Sequence, residues 1–323
     1  MAENKIKKIA ELSGVSESVV KRALGNYSGI NNKTKQNVLE VAEALGVCFK
    51  PKNTEIGIVM PTVPTYFWGE MRRALSLQCT ELEADFRFFL FSDINNEKDA
   101  LNCLDVASKS GISVLIVCPP DTRKIRDFLH TLSEKICVII LEEFVDIEGA
   151  VFVGENSYDE GFLLAKKYLE TFPQNRRFAV LSNRYDNNSP RNRGFFDAAK
   201  SFGNADFLNI YTEFSFDEKT VCARLARKLE PELQKIDCIF CPSGLIDIVS
   251  GALVKLKNER VHVVGFDSGI KSASYRKRDF LKQVCAQNLY GQAKSAAEIA
   301  KVYIKTGKKP SEKYIFIKNT VSL

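Results

Sequence analysis

Three short amphipathic segments occupy the first 46 residues of the chain. Apolar residues recur at helical spacing from Ile6 to Leu12, and Gly14 follows where a tight turn needs backbone freedom. Ser16, a favoured N-cap residue, precedes a second helical pattern that ends at Gly25. The positions expected to face a common core are Ile6, Ile9, Ala10, Leu12, Val19, Val20, Ala23, Leu24, Val38, Leu39, Ala42 and Leu45.

The third segment starts after Asn31, a second N-cap candidate, and ends at Gly46. Three short helices with a tight turn between the first two form the compact helix-turn-helix unit, which places its second helix in a DNA major groove. The pattern therefore predicts a small all-α helix-turn-helix domain at the N-terminus.

Short apolar runs alternate with amphipathic segments from Ile56 to the C-terminus. The first run, Ile56–Met60, is expected to form a buried strand that ends at Pro61. Such alternation indicates parallel sheets covered by helices on both faces, and its length exceeds one doubly wound sheet, so we expect two α/β lobes with a cleft between them. Further strands are expected at 86–91, 114–118, 137–141, 151–153, 178–181, 238–241, 261–266 and 281–286. Helices are expected at 68–83, 100–110, 158–171, 193–201, 218–229, 244–256 and 291–304.

These patterns give a domain division. The helix-turn-helix domain is expected over residues 1–50 and a short linker over 51–55, followed by a core over 56–323. Within the core, lobe 1 is expected at about 56–174 plus 288–310, and lobe 2 at about 175–287 plus 311–323.

Positive charge is concentrated near the N-terminus. Residues 1–53 hold nine Lys or Arg and five Glu, a net charge of +4, which leaves +2 of the total +6 for the other 270 residues. This is the distribution that a phosphate-binding module needs, although a solvated helical surface would look similar. No apolar run is long enough for a membrane span, and the start MAENKIKKIA lacks the apolar core of a signal peptide, so we expect a cytoplasmic protein that does not contact a membrane.

Candidate chemistry is sparse. Nine cysteines are present, and Cys238 and Cys241 form a C-x-x-C that could indicate zinc or redox chemistry. The pair lies in a predicted buried strand, however, and the chain has only two histidines, so we interpret the cysteines as reduced and buried. Nucleotide-binding glycine loops, G-x-S-x-G and H-E-x-x-H are absent from the sequence. We therefore expect no enzymatic activity, no cofactor and no metal.

The run from Lys5 to Gly46 resembles the DNA-binding headpiece of LacI/GalR-family transcription regulators. The matching residues are Ile6-Lys7, Ile9-Ala10, Ser13-Gly14-Val15-Ser16, Arg22-Ala23-Leu24, Thr34-Lys35, Val38-Leu39 and Leu45-Gly46. In the core, the strongest matches are Arg191-Asn192-Arg193-Gly194-Phe195 and Val264-Gly265-Phe266-Asp267. The resemblance implies a two-lobed core similar to periplasmic sugar-binding proteins.

The resemblance also implies partners and site residues. It implies a homodimer that binds a double-stranded DNA operator and responds to a small-molecule effector, expected to be a carbohydrate, in the interlobe cleft. The DNA-binding residues it implies are Lys5, Ile6, Lys7, Ser16, Glu17, Ser18, Lys21, Arg22, Asn31 and Thr34. The effector-binding candidates are Tyr66, Trp68, Asn156, Arg191, Ser243 and Asp267.

Several of these residues have a structural alternative. Glu17 could simply be an acid near a helix N-terminus, and Ser16 and Asn31 could be caps only. Arg191 and Asp267 can grip hydroxyl groups as donor and acceptor, or can belong to a structural salt bridge. Trp68 could stack on a ligand or lie in the core.

One departure from the family concerns the linker. Only Lys52–Glu55 separate Pro51 from the Ile56 strand, which leaves no room for the family's hinge helix and its minor-groove wedge. Two other functions stay open: a sugar-binding receptor that carries a helical unit, and an α/β enzyme with a DNA-binding regulatory domain.

Overall fold

The computed structural model describes residues 2–24, 30–45, 55–63, 65–182, 189–212, 218–267, 275 and 278–322. These residues form two compact units, each built from two separate parts of the chain. The first unit comprises Met1–Gly154 and Leu289–Ile315, and the second comprises Glu155–Asn288 and Phe316–Leu323. The chain therefore passes between the units three times, after Gly154, Asn288 and Ile315.

Three helices form the N-terminal region, and the second and third begin at the caps that the sequence indicated. They are α1 (Ala2–Ser13), α2 (Glu17–Leu24) and α3 (Asn32–Ala44). Ser16 Oγ accepts a hydrogen bond of 3.3 Å from the Val19 backbone N–H, and Asn31 Oδ1 accepts one of 2.9 Å from the Thr34 N–H. Both bonds satisfy amides that the helix itself cannot pair. The predicted helix ends at Gly25 and Gly46 lie outside the described residues.

Side chains from all three helices form a small apolar core. Ile9, Val20, Ala23 and Val38 are fully buried in it. Leu12, which we expected in this core, is 60% exposed. It lies about 200° around the helix from the buried Ala10 and therefore points outward. The next residue, Ser13, is buried instead, and its hydroxyl donates to the Ile9 carbonyl.

The first unit contains a six-stranded sheet with the strand order β11-β5-β4-β3-β1-β2. Its strands are β1 (Ile56–Val63), β2 (Phe86–Asp93), β3 (Val114–Val117), β4 (Cys137–Leu141), β5 (Val151–Gly154) and, from the C-terminal part, β11 (Tyr314–Phe316). Strands β1 to β5 pair in parallel. The helices are α4 (Thr65–Glu81), α5 (Glu97–Lys109), α6 (Arg123–Ser133) and α11 (Leu289–Thr306).

The second unit repeats this arrangement, with the strand order β12-β10-β9-β8-β6-β7. Its strands are β6 (Arg177–Ser182), β7 (Asp206–Tyr211), β8 (Cys238–Cys241), β9 (His262–Phe266), β10 (Leu281–Ala286) and β12 (Thr320–Ser322). Strands β6 to β10 pair in parallel and β12 pairs antiparallel with β10. The helices are α7 (Ser157–Thr171), α8 (Pro190–Ser201), α9 (Glu218–Leu229) and α10 (Ile246–Lys255).

The division after Gly154 comes earlier than the expected one near residue 174. Helix α7 belongs to the second unit because its backbone packs directly on α8. A Cβ at Gly161 would lie 2.0 Å from the Arg191 carbonyl oxygen, and one at Gly194 would lie 1.9 Å from that of Tyr158. Alternation of strands and helices predicts that α7 exists, but it does not tell which sheet the helix covers.

The predicted core strands and helices are all present within the described residues, with small differences at their ends. Helix α6 and strands β7, β11 and β12 were not predicted. Strand β1 also continues past its expected end at Pro61, as far as Val63. The pairing of β1 with β3 stops at Val59, and beyond it β1 pairs only with β2. Proline has no backbone N–H to donate, so Pro61 is tolerated where β1 is paired on one side only.

The C-x-x-C pair lies in β8, and both cysteines are fully buried. Side chains alternate between the two faces of a strand, so residues three apart point to opposite sides. Cys238 accordingly packs with Phe240 and Cys241 with Ile239, in separate apolar clusters. Burial raises the pKa of both thiols. This geometry confirms the interpretation as buried apolar residues and prevents the pair from chelating one ion.

Among the described residues, no helix combines the length and the apolar character needed to cross a membrane.

Candidate functional site

A polar cluster lies at the carboxyl ends of the strands in the second unit, and its central contact joins Arg191 and Glu155. Arg191 occupies the first turn of α8, after the cap Ser189, and Glu155 follows β5 directly. The Arg191 guanidinium donates to a Glu155 carboxylate oxygen and to the Pro242 carbonyl. The two charged side chains are only 13% and 2% exposed, so this is a buried ion pair.

Asp267 brings a second carboxylate next to this pair. The residue follows β9 directly, and its neighbour Phe266 places its ring 4.0 Å from the Arg191 guanidinium carbon. Asp267 Oδ2 accepts a hydrogen bond of 2.9 Å from Gln287 Nε2. Burial raises the pKa of Asp267 to about 6, although the nearby Arg191 charge opposes the shift. A part-buried carboxylate beside a guanidinium can accept hydrogen bonds from a ligand's hydroxyl groups.

The cluster extends inward through Glu160 of α7. One Glu160 oxygen accepts a hydrogen bond of 3.3 Å from the Asn319 backbone N–H, and the other accepts one of 3.5 Å from the Cys285 thiol. Burial raises the pKa of Glu160, and the hydrogen bond from Asn319 partly offsets the shift. The Asn319 side chain donates to Glu155. The described part of the cluster thus holds three carboxylates around one guanidinium.

Among the effector-binding candidates whose side chains are described, the structure brings together Arg191 and Asp267. Asn156 is the N-cap of α7, where its side chain accepts from the Asp159 N–H at 3.3 Å and donates to the Asp159 carboxylate at 2.6 Å. Ser243 lies between β8 and α10, next to the carbonyl that Arg191 contacts.

The two aromatic candidates belong to the first unit. Trp68 is 4% exposed and packs edge to face on Phe67, with ring centroids 4.9 Å apart. This low exposure favours the core alternative for Trp68 over a stacking role. The side chain of Tyr66 lies outside the described residues.

Sequence analysis did not single out Glu155, Glu160 or Asn319 as site residues. Glu155 had one detectable signal, since it is an acid directly after a buried strand. Asn319 had none, because a lone Asn near the C-terminus carries no pattern. Among the described residues, no three His, Cys, Asp or Glu side chains are arranged so that they could hold a metal ion, and this includes the three carboxylates of the cluster.

A second candidate surface lies on α2. Val20 and Ala23 are fully buried, whereas Glu17, Ser18 and Lys21 on the opposite face are exposed. The other expected DNA contacts fall on the same three-helix unit. Lys5, Lys7, Ser16, Arg22 and Asn31 are exposed, and Ile6 and Thr34 are half-buried.

Comparison with known proteins identifies the fold. The family model for the periplasmic binding protein domain matches residues 56–309. The HTH-type transcriptional repressor PurR of Mannheimia succiniciproducens is similar at 24% identity over 279 residues, which cover 81% of either chain.

Two solved structures show the same fold. An ABC transporter periplasmic solute-binding protein from Actinobacillus succinogenes 130z, with bound D-allose, matches with a TM-score of 0.73 at 17% identity, over 84% of this chain and 97% of that one. A chain from Bacteroides fragilis assigned to the LacI transcriptional regulators matches with a TM-score of 0.70 at 12% identity, over 84% and 96%.

These likenesses confirm the two-lobed α/β fold that the resemblance implied. The fold and these repressor and solute-binding relatives are non-enzymatic, which agrees with the sequence-based prediction. Because the family model spans most of the 323 residues, the chain belongs to the periplasmic binding protein domain family.

Proposed function

We propose that the protein is a DNA-binding transcription regulator of the LacI type whose affinity for its operator depends on a bound carbohydrate. The observation that carries this proposal is the exposed polar face of α2, set on a compact three-helix core. A helix supported in this way can enter a major groove and present its first turns to base edges. The PurR relative carries the same kind of function in its name.

Residues on α2 would read the bases. Arg22 can donate two hydrogen bonds to guanine O6 and N7, and Glu17 can accept one from cytosine N4. Lys5, Lys7 and Lys21 would contact phosphates and fix the register of the helix on the duplex. Two copies of the chain would place two such helices on a symmetric operator, so the functional form is a homodimer.

The polar cluster of the second unit would hold the effector. A carbohydrate offers adjacent hydroxyl groups, which both donate and accept hydrogen bonds, and Asp267 and Arg191 supply the complementary groups. The D-allose bound by the structural relative supports a carbohydrate over other ligands. An effector that binds one conformation of the core better than another would change the DNA affinity of the linked helices. The expected interlobe position of the effector and the predicted boundaries of domains and lobes stay predictions.

The short linker gives this proposal a specific form. The sequence predicts that residues 51–55 are too short for a hinge helix and its minor-groove wedge, so specificity would rest on the major-groove contacts alone. We expect a minimal operator to be bound without strong central bending, as measured by circular-permutation gel shift. A large bend at the operator centre would contradict this.

The central test measures salt-dependent binding to duplexes from the promoter of the protein's own gene. We expect the full chain to bind one duplex with an affinity that falls steeply with salt, and a chain that lacks residues 1–53 to lose that binding. D-allose is then titrated into the complex. If the full chain binds none of the duplexes with a salt-dependent affinity, the proposal is overturned.

A sugar receptor is the second candidate, because the D-allose relative is a solute-binding protein of a transporter. The same experiment separates the two functions. A receptor would bind D-allose and ignore the duplexes, whereas a regulator changes its duplex affinity when the sugar is added.

A further inference from the structure

The three passages of the chain between the two units converge on one side chain. Glu155 and Asn288 are the second-unit residues at the first two passages, and Asn319 follows the third by a few residues. Asn319 Nδ2 donates to a Glu155 carboxylate oxygen, and Asn319 Oδ1 accepts a hydrogen bond of 3.0 Å from the Asn288 N–H. A single amide thus ties all three passages together, using both its donor and its acceptor end.

Asparagine suits this position chemically. A carboxylate could accept from Asn288 but would repel Glu155, and an alanine could do neither. The backbone of the same segment adds two further contacts. The Asn319 N–H donates to Glu160, and the Lys318 carbonyl accepts from Asn288 Nδ2 at 3.5 Å. Glu160 and Asn288 therefore fix the backbone of Lys318 and Asn319, while the Asn319 side chain joins the three passages.

The same amide is two contacts away from the proposed ligand site. Asn319 bonds one oxygen of Glu155, and Arg191 bonds the other. Ser157 Oγ also donates to the oxygen that Arg191 contacts, at 3.0 Å. Glu155 is 2% exposed, so its orientation is set by these three partners rather than by water. Any shift of the Asn319 amide therefore moves the carboxylate that holds the Arg191 guanidinium beside Phe266 and Asp267.

We propose that Asn319 is a positioning residue that links the Arg191 ligand site to the three chain passages by orienting Glu155. The inference rests on the proposed effector site at Arg191. It assigns to Asn319 a role in transmitting occupancy of that site to the segments that join the two units. Hydrogen bonds in a protein interior depend on one another, so this relay is expected to respond as a unit.

The first experiment needs no ligand. Hydrogen–deuterium exchange is followed in the full chain for the wild type, for Asn319→Ala and for Lys318→Ala, the matched control that removes an exposed side chain and keeps its carbonyl. We expect Asn319→Ala to accelerate exchange of the Asn288 amide at least tenfold and to accelerate exchange around Glu155, with no change for the control. Acceleration confined to residues 316–320, or equal effects in both variants, would overturn the proposal.

The second experiment uses D-allose and a double-mutant cycle with Glu155→Gln. If Asn319 acts through Glu155, both single variants weaken binding several-fold, and the double variant binds about as weakly as Glu155→Gln alone. If the effects of the two single substitutions on Kd instead multiply in the double variant, Asn319 does not act through Glu155 and its link to Arg191 is overturned. If the wild type does not bind D-allose, the proposed function fails for this sugar, and the exchange pattern alone decides the role of Asn319.

Discussion

Glu142 and Asp267 hold equivalent positions in the two sheets. Glu142 directly follows β4 and Asp267 directly follows β9, and both strands are third from the β11 or β12 edge. Both residues adopt left-handed backbone angles, with φ of 67° and 54°. Non-glycine residues rarely adopt this conformation, and it persists most often at functional sites. The two sheets thus carry an acidic residue with the same backbone conformation at the same topological position.

The raised pKa of Asp267 predicts a pH-dependent stability difference. The folded pKa of about 6 lies above the ordinary 3.8, so the folded state keeps its proton longer and the wild type loses stability as pH rises from about 4 to 6. We therefore expect Asp267→Asn to be more stable than the wild type above pH 6, by up to about 3 kcal/mol, and the difference to vanish below pH 4.

Urea unfolding across this pH range measures the difference, with the exposed Asp279→Asn as the control. D-allose binding should behave oppositely. It should strengthen in the wild type as pH rises through 6, since the ionised carboxylate accepts hydrogen bonds better, and it should be lost in Asp267→Asn. A wild type and variant with parallel pH profiles of stability would refute this interpretation.

The buried ion pair predicts an asymmetric cost of substitution. Arg191→Met leaves the Glu155 charge buried without its partner, so we expect a loss of about 3 kcal/mol in the free energy of unfolding. The double variant Glu155→Met/Arg191→Met should recover most of that loss. Arg126→Met is the control, because its pair with Asp121 is about half exposed on both sides and should cost less than about 1 kcal/mol. A double variant with a lower free energy of unfolding than Arg191→Met would contradict the prediction.

The contact between α7 and α8 predicts that Gly161→Ala is destabilising. The added methyl would lie 2.0 Å from the Arg191 carbonyl oxygen and would push the first turn of α8 outward. We expect a loss of about 2–3 kcal/mol together with weaker D-allose binding, because Arg191 moves with that turn. Gly69→Ala in α4 meets nothing within 4 Å and should stabilise by about 0.5–1 kcal/mol. Chemical denaturation measures the free energy of unfolding of both variants, and changes of the same sign would contradict the prediction.

Substitutions at Arg22 and Lys7 should affect DNA binding differently. Arg22→Ala should weaken binding to the preferred duplex by about 1–3 kcal/mol and relax its sequence preference, because a base contact is lost. Lys7→Ala should weaken binding to all duplexes alike and reduce the salt slope by about 1. Fluorescence anisotropy at several salt concentrations measures both effects. Equal losses on all duplexes for Arg22→Ala would assign this residue to the backbone instead.

Much of the fold could be predicted because it depends on local pattern. The caps Ser16 and Asn31 and the buried β8 cysteines follow from residue type, spacing and side-chain alternation. Leu12 was misplaced because the apolar pattern of a short helix does not fix its buried face to within one residue. The close glycine contact between α7 and α8 places α7 in the second unit, and neither segment alone carries a signal for that contact.

The α/β alternation, the caps of α2 and α3 and the basic N-terminal helices could be predicted from the amino-acid sequence, and the family resemblance singled out Arg191 and Asp267. These are properties of single segments, set by backbone preference and by the period of apolar residues. The folded structure was needed to show that Arg191 pairs with Glu155, that Asn319 bonds both Glu155 and Asn288, and that Trp68 is buried. Those contacts join residues far apart in the chain, and their energies depend on burial and on hydrogen-bond geometry that exist only once the sheets have formed.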